Sequence, residues 1–184
     1  MYNKKISIIK KRLTFCIVII LIGFMNISFA DLASINLRIT ANLVSNTCVV
    51  SAKSKNQVID MKTWASKYFD AASTKETPPI KFTIDLENCG PSANMVNVIF
   101  SGDRDSKNNQ LFALSQGSTA KNLGISILDE NYQQIIPNSK TKIPYMLNGK
   151  NNVSLIFYAK YVVSGSPVTA GSANSEATFE LEYL

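Results

Sequence analysis

Residues 31–43 read DLASINLRITANL, and apolar side chains recur at every second position of this stretch. Successive side chains of a β-strand point to opposite faces, so the period of two predicts a strand with one apolar and one polar face. No Asn-Gly or Asp-Gly pair follows to fold it back, because the chain continues through residues 44–47 into Cys48. The strand therefore has to bury its apolar face against a partner elsewhere.

Residues 1–30 have the composition of a secretory signal. Five basic residues and no acidic one lie in residues 2–12, an almost wholly apolar run fills residues 13–25, and Ser28 and Ala30 are the small residues that a signal peptidase reads. A membrane anchor is the alternative, but the apolar run is shorter than the roughly 20 residues of a spanning helix. We expect cleavage after Ala30 and export.

Charge and length restrict the function of the remaining chain. The formal net charge is +6, but five of the 19 basic residues and none of the 13 acidic ones lie in the signal, so residues 31–184 carry 14 basic against 13 acidic side chains. Such a near-neutral chain lacks the basic surface of a nucleic-acid-binding protein. Its length fits one domain.

Two cysteines remain after the signal, Cys48 and Cys89. In an exported chain such a pair predicts a disulfide, which would stabilise the fold by roughly 4 kcal/mol on the chain-entropy model. A metal or redox site is the alternative, but the sequence has no histidine and no C-x-x-C spacing.

Short alternating or apolar runs, separated by turn residues, fill the rest of the chain. The predicted strands are residues 49–50, 58–61, 80–86, 96–100, 111–114, 123–128, 132–136, 145–147, 153–163 and 173–183. Asn148-Gly149 predicts a hairpin between 145–147 and 153–163. Residues 63–77 predict a loop with a short helical turn that crosses from one sheet to another. Many short strands with almost no helix predict an all-β sandwich.

The last predicted strand, ANSEATFELEY at residues 173–183, repeats the alternation of the first. One of its faces carries Ala173, Ser175, Ala177, Phe179, Leu181 and Tyr183, and Gly171 precedes it. Both terminal strands would be exposed sheet edges unless something covers them. The pattern alone leaves open whether they pair with each other inside one sandwich.

Several segments follow one another in an order that is found in a known family. After the alternating arm and Cys48 come Ile84-Asp85-Leu86 before Cys89, Phe100-Ser101-Gly102, Leu123-Gly124-Ile125, Phe157-Tyr158-Ala159, Val168-Thr169-Ala170-Gly171 and the ending ATFELEY at 177–183. The glycine fourteenth from the end and the penultimate tyrosine complete a pattern that resembles the chaperone–usher pilin family, and within it the FimF-like minor adaptors of type 1 fimbriae. One residue departs from the pattern, since Ala41 stands where the family usually has glycine.

The resemblance implies an incomplete immunoglobulin-like sandwich that is completed by a strand from another chain. A periplasmic chaperone would fill the groove first, and the arm of a neighbouring subunit would replace it by donor-strand exchange at an outer-membrane usher. It divides the chain into a cleaved signal (1–30), a donor arm (31–47) and a pilin domain (48–184). The implied donor residues are Ile35, Leu37, Ile39, Ala41 and Leu43, and the implied acceptor and chaperone-binding residues are Gly171, Ala173, Ser175, Ala177, Phe179, Leu181, Tyr183 and Leu184.

No catalytic motif, cofactor site or small-molecule site is predicted. The sequence has no histidine, no G-x-S-x-G and no glycine-rich phosphate loop. Asp103 and Asp105 lack the ligand spacing of an EF-hand, which favours a solvated loop.

The expected function is therefore structural, as a subunit of an adhesive cell-surface fimbria. The preferred role is a minor adaptor, and the alternative is a major shaft subunit. A carbohydrate-binding adhesin is a further alternative, because Trp64, Tyr68 and Phe69 could stack on a sugar. Adhesins of the family, however, carry an extra receptor-binding domain and lack the donor arm.

Overall fold

The computed structural model describes residues 47–70 and 75–184. Within them, eight strands form two sheets, and helix is limited to two four-residue turns, α1 (Ala52–Lys55) and a 3-10 turn (Ser66–Phe69). The strands are β1 (Val49–Val50), β2 (Ile80–Glu87), β3 (Met95–Ser101), β4 (Leu123–Leu128), β5 (Gln134–Ile135), β6 (Tyr145–Met146), β7 (Val153–Val163) and β8 (Thr178–Tyr183). The predicted all-β sandwich is confirmed. The predicted signal and residues 31–46 of the predicted donor arm lie outside the described residues.

The strands form a five-stranded sheet in the order β1-β2-β7-β4-β5 and a three-stranded sheet in the order β6-β3-β8. Every strand pair is antiparallel. The period of two decides the faces: in β7, Leu155, Phe157 and Ala159 are buried while the residues between them are partly exposed. Within the described residues, no helix is long and apolar enough to cross a membrane.

Phenylalanines from both sheets meet between the layers. Phe82 of β2 stacks on Phe157 of β7 with ring centroids 5.5 Å apart. Phe100 of β3 meets both rings edge-on, at 6.2 Å from Phe82 and 5.0 Å from Phe157. Aromatic pairs in these geometries contribute about 0.5–1.5 kcal/mol each beyond the burial of their area, so this cluster joins the two sheets.

The predicted disulfide between Cys48 and Cys89 is confirmed. Cys48 directly precedes β1, and Cys89 follows the end of β2, which is the partner of β1. The bond therefore holds the beginning of the described domain against its second strand.

Two predicted strands are wrong. Residues 58–61 form no strand, and Val58 is 97% exposed, so no neighbouring strand supports it. Residues 111–114 make only isolated bridges, from Phe112 to Arg104 and from Phe112 to Ile125; the two N–O distances of the second bridge are 2.8 and 2.9 Å. An alternating or apolar run of four residues is not sufficient for a strand, because a strand also needs a neighbouring strand with which its backbone forms a ladder of hydrogen bonds.

The hairpin predicted at Asn148-Gly149 is also wrong, although a turn is present. Both residues have positive φ, 53° and 62°, as the sequence indicates. The strands on either side, however, belong to different sheets: β6 pairs with β3, and β7 pairs with β2 and β4. The turn therefore carries the chain from one layer of the sandwich to the other.

The prediction that residues 63–77 cross from one sheet to the other is wrong. The segment lies between β1 and β2, which are neighbours in the same sheet. The short helical turn is present as Ser66–Phe69, and Phe69 anchors it in the core at 4% exposure.

Candidate functional site

Strand β8 has a free edge. Among the described residues it pairs with β3 alone. Leu184 N donates to Met95 O at 3.0 Å, so the backbone groups of Leu184 face β3. Alternation along an antiparallel ladder then turns the N–H and C=O groups of Phe179, Leu181 and Tyr183 away from β3, toward the free edge. Such a row of backbone groups is a template for one more strand.

The same three residues direct their side chains into the sandwich. Phe179, Leu181 and Tyr183 are each partly buried and pack against the hydrophobic core. The ring of Phe179 lies 6.4 Å from that of Phe100, at the margin of the aromatic cluster. Apolar core surface therefore reaches solvent beside the free edge, and an added strand could cover it.

Tyr183 connects the end of β8 to the start of the described domain. Cys48 N donates to Tyr183 Oη at 3.1 Å, and Tyr183 Oη donates to Cys48 O at 3.3 Å. Since Cys48 is also disulfide-bonded to Cys89, one corner of the molecule holds β8, β1 and the end of β2 together. The sequence predicts Tyr183 as a groove residue but gives no sign of this contact with Cys48.

The predicted C-terminal strand is shorter than expected, because β8 begins at Thr178. The preceding residues are held by a loop of the same chain instead of a strand. Ser115 N donates to Asn174 O at 2.7 Å, and Ser175 Oγ donates to Ala113 O at 2.6 Å. Ala173 and Ser175 are partly buried in this arrangement, whereas Ala177 is exposed.

Gly171 lies where no side chain would fit. A Cβ atom at this position would stand 2.4 Å from Ala120 N and 2.6 Å from the carbonyl carbon of Thr119. The backbone of the loop at Thr119 and Ala120 therefore approaches Gly171 closely, which only glycine permits.

The outward face of β8 is acidic. Lys140 Nζ donates to Glu182 Oε1 at 2.7 Å, and this hydrogen bond lowers the pKa of Glu182. Glu180 stands opposite Ile99 of β3 and forms no ion pair with any described residue. The face beside the free edge therefore carries negative charge that the described part of the molecule neutralises only in part.

The aromatic residues at 64–69 pack on one another. Trp64 Nε1 donates to Met61 O at 2.9 Å, and the ring of Tyr68 lies 5.0 Å from Trp64 and 5.4 Å from Phe69. Phe69 is buried, and Trp64 is partly buried against the core. These contacts give the rings a structural role and leave no flat stacking surface that all three share.

The acidic loop around Asp105 is organised by its own backbone. Asp105 Oδ1 accepts hydrogen bonds from the N–H groups of Lys107 and Asn108, both at 2.9 Å. Arg104 Nη2 donates to Pro137 O at 2.7 Å. In the described ranges, no group of three or more His, Cys, Asp or Glu residues could hold a metal ion.

Comparison with known proteins gives one family. The model of the family described as "Fimbrial protein" matches residues 35–184. The chain is 30% identical to the fimbrial-like protein FimF of Salmonella typhimurium strain LT2, over 95% of this chain and 99% of that protein. It is 32% identical to a type 1 fimbrial subunit of Salmonella typhimurium, over 77% of this chain and 78% of that protein. A subunit in a solved chaperone–usher pilus superposes with a TM-score of 0.64 at 20% identity, covering 80% of this chain and 94% of that one. The chain belongs to the fimbrial protein family and is a structural subunit of a cell-surface fimbria.

Proposed function

We propose that the chain is a minor adaptor subunit of an adhesive fimbria, and that the free edge of β8 is where it accepts a strand from a neighbouring subunit. The subunit reaches the surface through the periplasm, where a chaperone receives it and an outer-membrane usher exchanges the chaperone for the next subunit. The observation that carries the proposal is the combination found at Phe179, Leu181 and Tyr183, whose backbone groups face a free edge and whose apolar side chains remain partly uncovered.

The donor in this proposal is the N-terminal arm, residues 31–47, exposed once the signal of residues 1–30 is removed. Its five inward positions include four large apolar residues, and fully burying a Leu or Ile contributes about 1.5–3 kcal/mol. Together they give on the order of 10 kcal/mol as an upper bound before ordering costs. The inward donor positions are Ile35, Leu37, Ile39, Ala41 and Leu43. A fibre linked in this way resists dissociation.

The acceptor is the C-terminal segment that ends in Leu184, together with residues 171–177 before β8. Main-chain hydrogen bonds supply affinity along the edge, and the alternating side chains supply selectivity. While the chaperone holds the subunit, the same edge is occupied by a chaperone strand, and the carboxylate of Leu184 is bound by basic residues of the chaperone. The proposal includes no catalysis and no cofactor, which agrees with a sequence that has no histidine for general-base chemistry.

An adaptor and a shaft subunit differ in their position in the fibre, so that position distinguishes the two candidate roles. The short arm before Cys48 and the similarity to FimF over nearly the whole of both chains support the adaptor. The similarity to a type 1 fimbrial subunit supports the shaft alternative. Counting copies of the chain per isolated fimbria decides between them: one or a few copies near one end identify an adaptor, and labelling along the whole fibre identifies a shaft subunit.

The groove itself is tested by denaturant unfolding of residues 44–184, with and without a synthetic peptide of residues 31–43. We expect the peptide to raise the unfolding midpoint sharply. The matched control is the same peptide with Leu37 and Ile39 replaced by Asp, which keeps the backbone donors and removes the apolar anchors. A domain that is fully stable alone and indifferent to both peptides would show that the sandwich is already complete.

A further inference from the structure

Glu180 is a charged residue of β8 that has no partner within the described chain. It is exposed, it stands opposite Ile99 across the ladder, and none of the described ion pairs includes it. Two residues further along the same face, Glu182 is already bonded to Lys140. A strand added at the free edge would bring its own outward side chains beside Glu180, because directly opposed residues of paired strands lie on the same face.

The sequence of the proposed donor arm contains a cation among the residues that alternate with the apolar ones. Residues 31–43 contain one basic residue, Arg38, and one acidic residue, Asp31 at the first position. Arg38 stands between Leu37 and Ile39 in the alternation. A strand that buries Leu37 and Ile39 in the groove therefore holds Arg38 outward, on the face where β8 carries its glutamates.

Apolar alternation alone does not determine which residues stand opposite one another. A shift of the arm by two residues returns the same face to the groove, so the apolar pattern permits several positions. The basic residue of the arm does not repeat every two residues as the apolar side chains do, because Arg38 is the single cation in residues 31–43. An ion pair between the arm and β8 can therefore favour one register among those that the apolar side chains allow.

We propose that the arm of a second copy of this chain adds antiparallel to β8 with Arg38 opposite Glu180, a pairing that rests on the donor-strand function proposed above. This register places Leu37 opposite Leu181 and Ile39 opposite Phe179. It is antiparallel like every other strand pair of the molecule.

The neighbouring registers are poorer. A shift of two residues in one direction moves Arg38 opposite Thr178, which carries no charge. A shift in the other direction moves it opposite Glu182, which Lys140 already neutralises. The Arg38–Glu180 register also sets Ala41 opposite the exposed Ala177, so two small side chains meet where the family usually has a glycine in the arm. The inference is that the chain is compatible with its own copies and can follow itself in the fibre.

The test uses the full-length chain in its complex with the chaperone and measures displacement of the chaperone by synthetic peptides of residues 31–43. The peptides are the natural sequence and its Arg38→Glu variant, and the acceptors are the natural chain, Glu180→Arg and Glu176→Arg. Glu176 is the matched control, because it is an exposed glutamate just before β8 and does not stand opposite Arg38 in the proposed register. The chain's own arm competes equally in every pair of measurements, so the ratio between peptides is unaffected.

An opposite-charge pair directly across two strands changes affinity by about two- to fivefold, and reversing one charge adds a repulsion of similar size. On the natural chain we expect the Arg38→Glu peptide to be about tenfold weaker than the natural peptide. On Glu180→Arg the order should reverse, and on Glu176→Arg it should stay as on the natural chain. The preference should shrink at high salt, because exposed charges are screened.

Equal displacement by both peptides on all three acceptors would overturn the register while leaving the groove in place. A reversal on Glu176→Arg instead of Glu180→Arg would overturn it in favour of an arm shifted along β8. Failure of every peptide to displace the chaperone, with a strand of unrelated sequence equally inactive, would overturn the donor-strand function itself and the register with it.

Discussion

Replacing Tyr183 by Phe removes one hydroxyl group from the corner that joins β8 to Cys48 and leaves the ring in place. That hydroxyl accepts from Cys48 N at 3.1 Å and donates to Cys48 O at 3.3 Å. A typical hydrogen bond contributes about 0.5–1.5 kcal/mol net, and an unsatisfied group left behind adds a desolvation cost. Since Tyr183 is only partly buried, we expect the variant to lose about 2 kcal/mol of stability.

The measurement is urea unfolding of the disulfide-bonded chain, carried out under the same conditions for both proteins. With a slope of about 2 kcal/mol per molar urea, a loss of about 2 kcal/mol lowers the midpoint by about 1 M. The slope itself should not change, because the ring still fills the same space.

Tyr68→Phe is the control, because the Tyr68 hydroxyl has no hydrogen-bond partner among the described residues and the side chain is 37% exposed. A surface change of this kind stays within about 0.5 kcal/mol. If Tyr183→Phe shifts the midpoint no more than Tyr68→Phe does, the hydroxyl is not bonded to Cys48 in solution, and the account of this corner is wrong.

Three further changes test other parts of the structure. Gly171→Ala should destabilise the chain by about 1–3 kcal/mol in thermal or urea unfolding, because the new Cβ would lie 2.4 Å from Ala120 N. Lys140→Gln should lower stability at pH 7, and the difference from the natural chain should shrink as the pH falls below the ordinary glutamate pKa of about 4.3. The reason is that Lys140 lowers the pKa of Glu182 in the folded state, so its contribution is lost as the pH falls through that lowered pKa. Burial raises the pKa of Tyr161, so its folded form keeps the proton after the unfolded chain begins to ionise near pH 10, and stability should fall above that pH. Tyr161→Phe should remove this part of the alkaline slope in a pH series of urea unfolding curves.

The long alternating runs were predicted correctly, because their alternation indicates both the strand conformation and the face that is buried. Residues 80–86, 96–100 and 153–163 correspond to β2, β3 and β7, whose inward positions form the core. The predicted strands at residues 123–128 and 132–136 correspond to β4 and β5, which pair with Ile127 opposite Ile135. In each case the local sequence pattern and the pairing in the folded protein favour the same strand, so a prediction from local sequence is correct.

The predictions that failed needed information from distant residues. The turn at Asn148-Gly149 has the backbone geometry that its residues indicate, but whether its flanking strands pair depends on what β3, β2 and β4 offer them. The bond from Cys48 to Tyr183 joins residues 135 apart in sequence, and no periodicity reports it. The donor arm lies outside the described residues, so its role remains a prediction.

The lengths of the edge strands indicate which of them is best suited to strand addition. Two sheets have four edges, which in the described residues are β1, β5, β6 and β8. The first three have two residues each, whereas β8 has six. Very short edge strands offer too few backbone groups to hold another chain, and proteins use them to prevent association. Among these four edge strands, β8 combines the greatest length with partly uncovered apolar side chains, so it is the edge strand best suited to accept another strand. Under the donor-strand function proposed above, a neighbouring subunit would therefore add at β8 rather than at β1, β5 or β6.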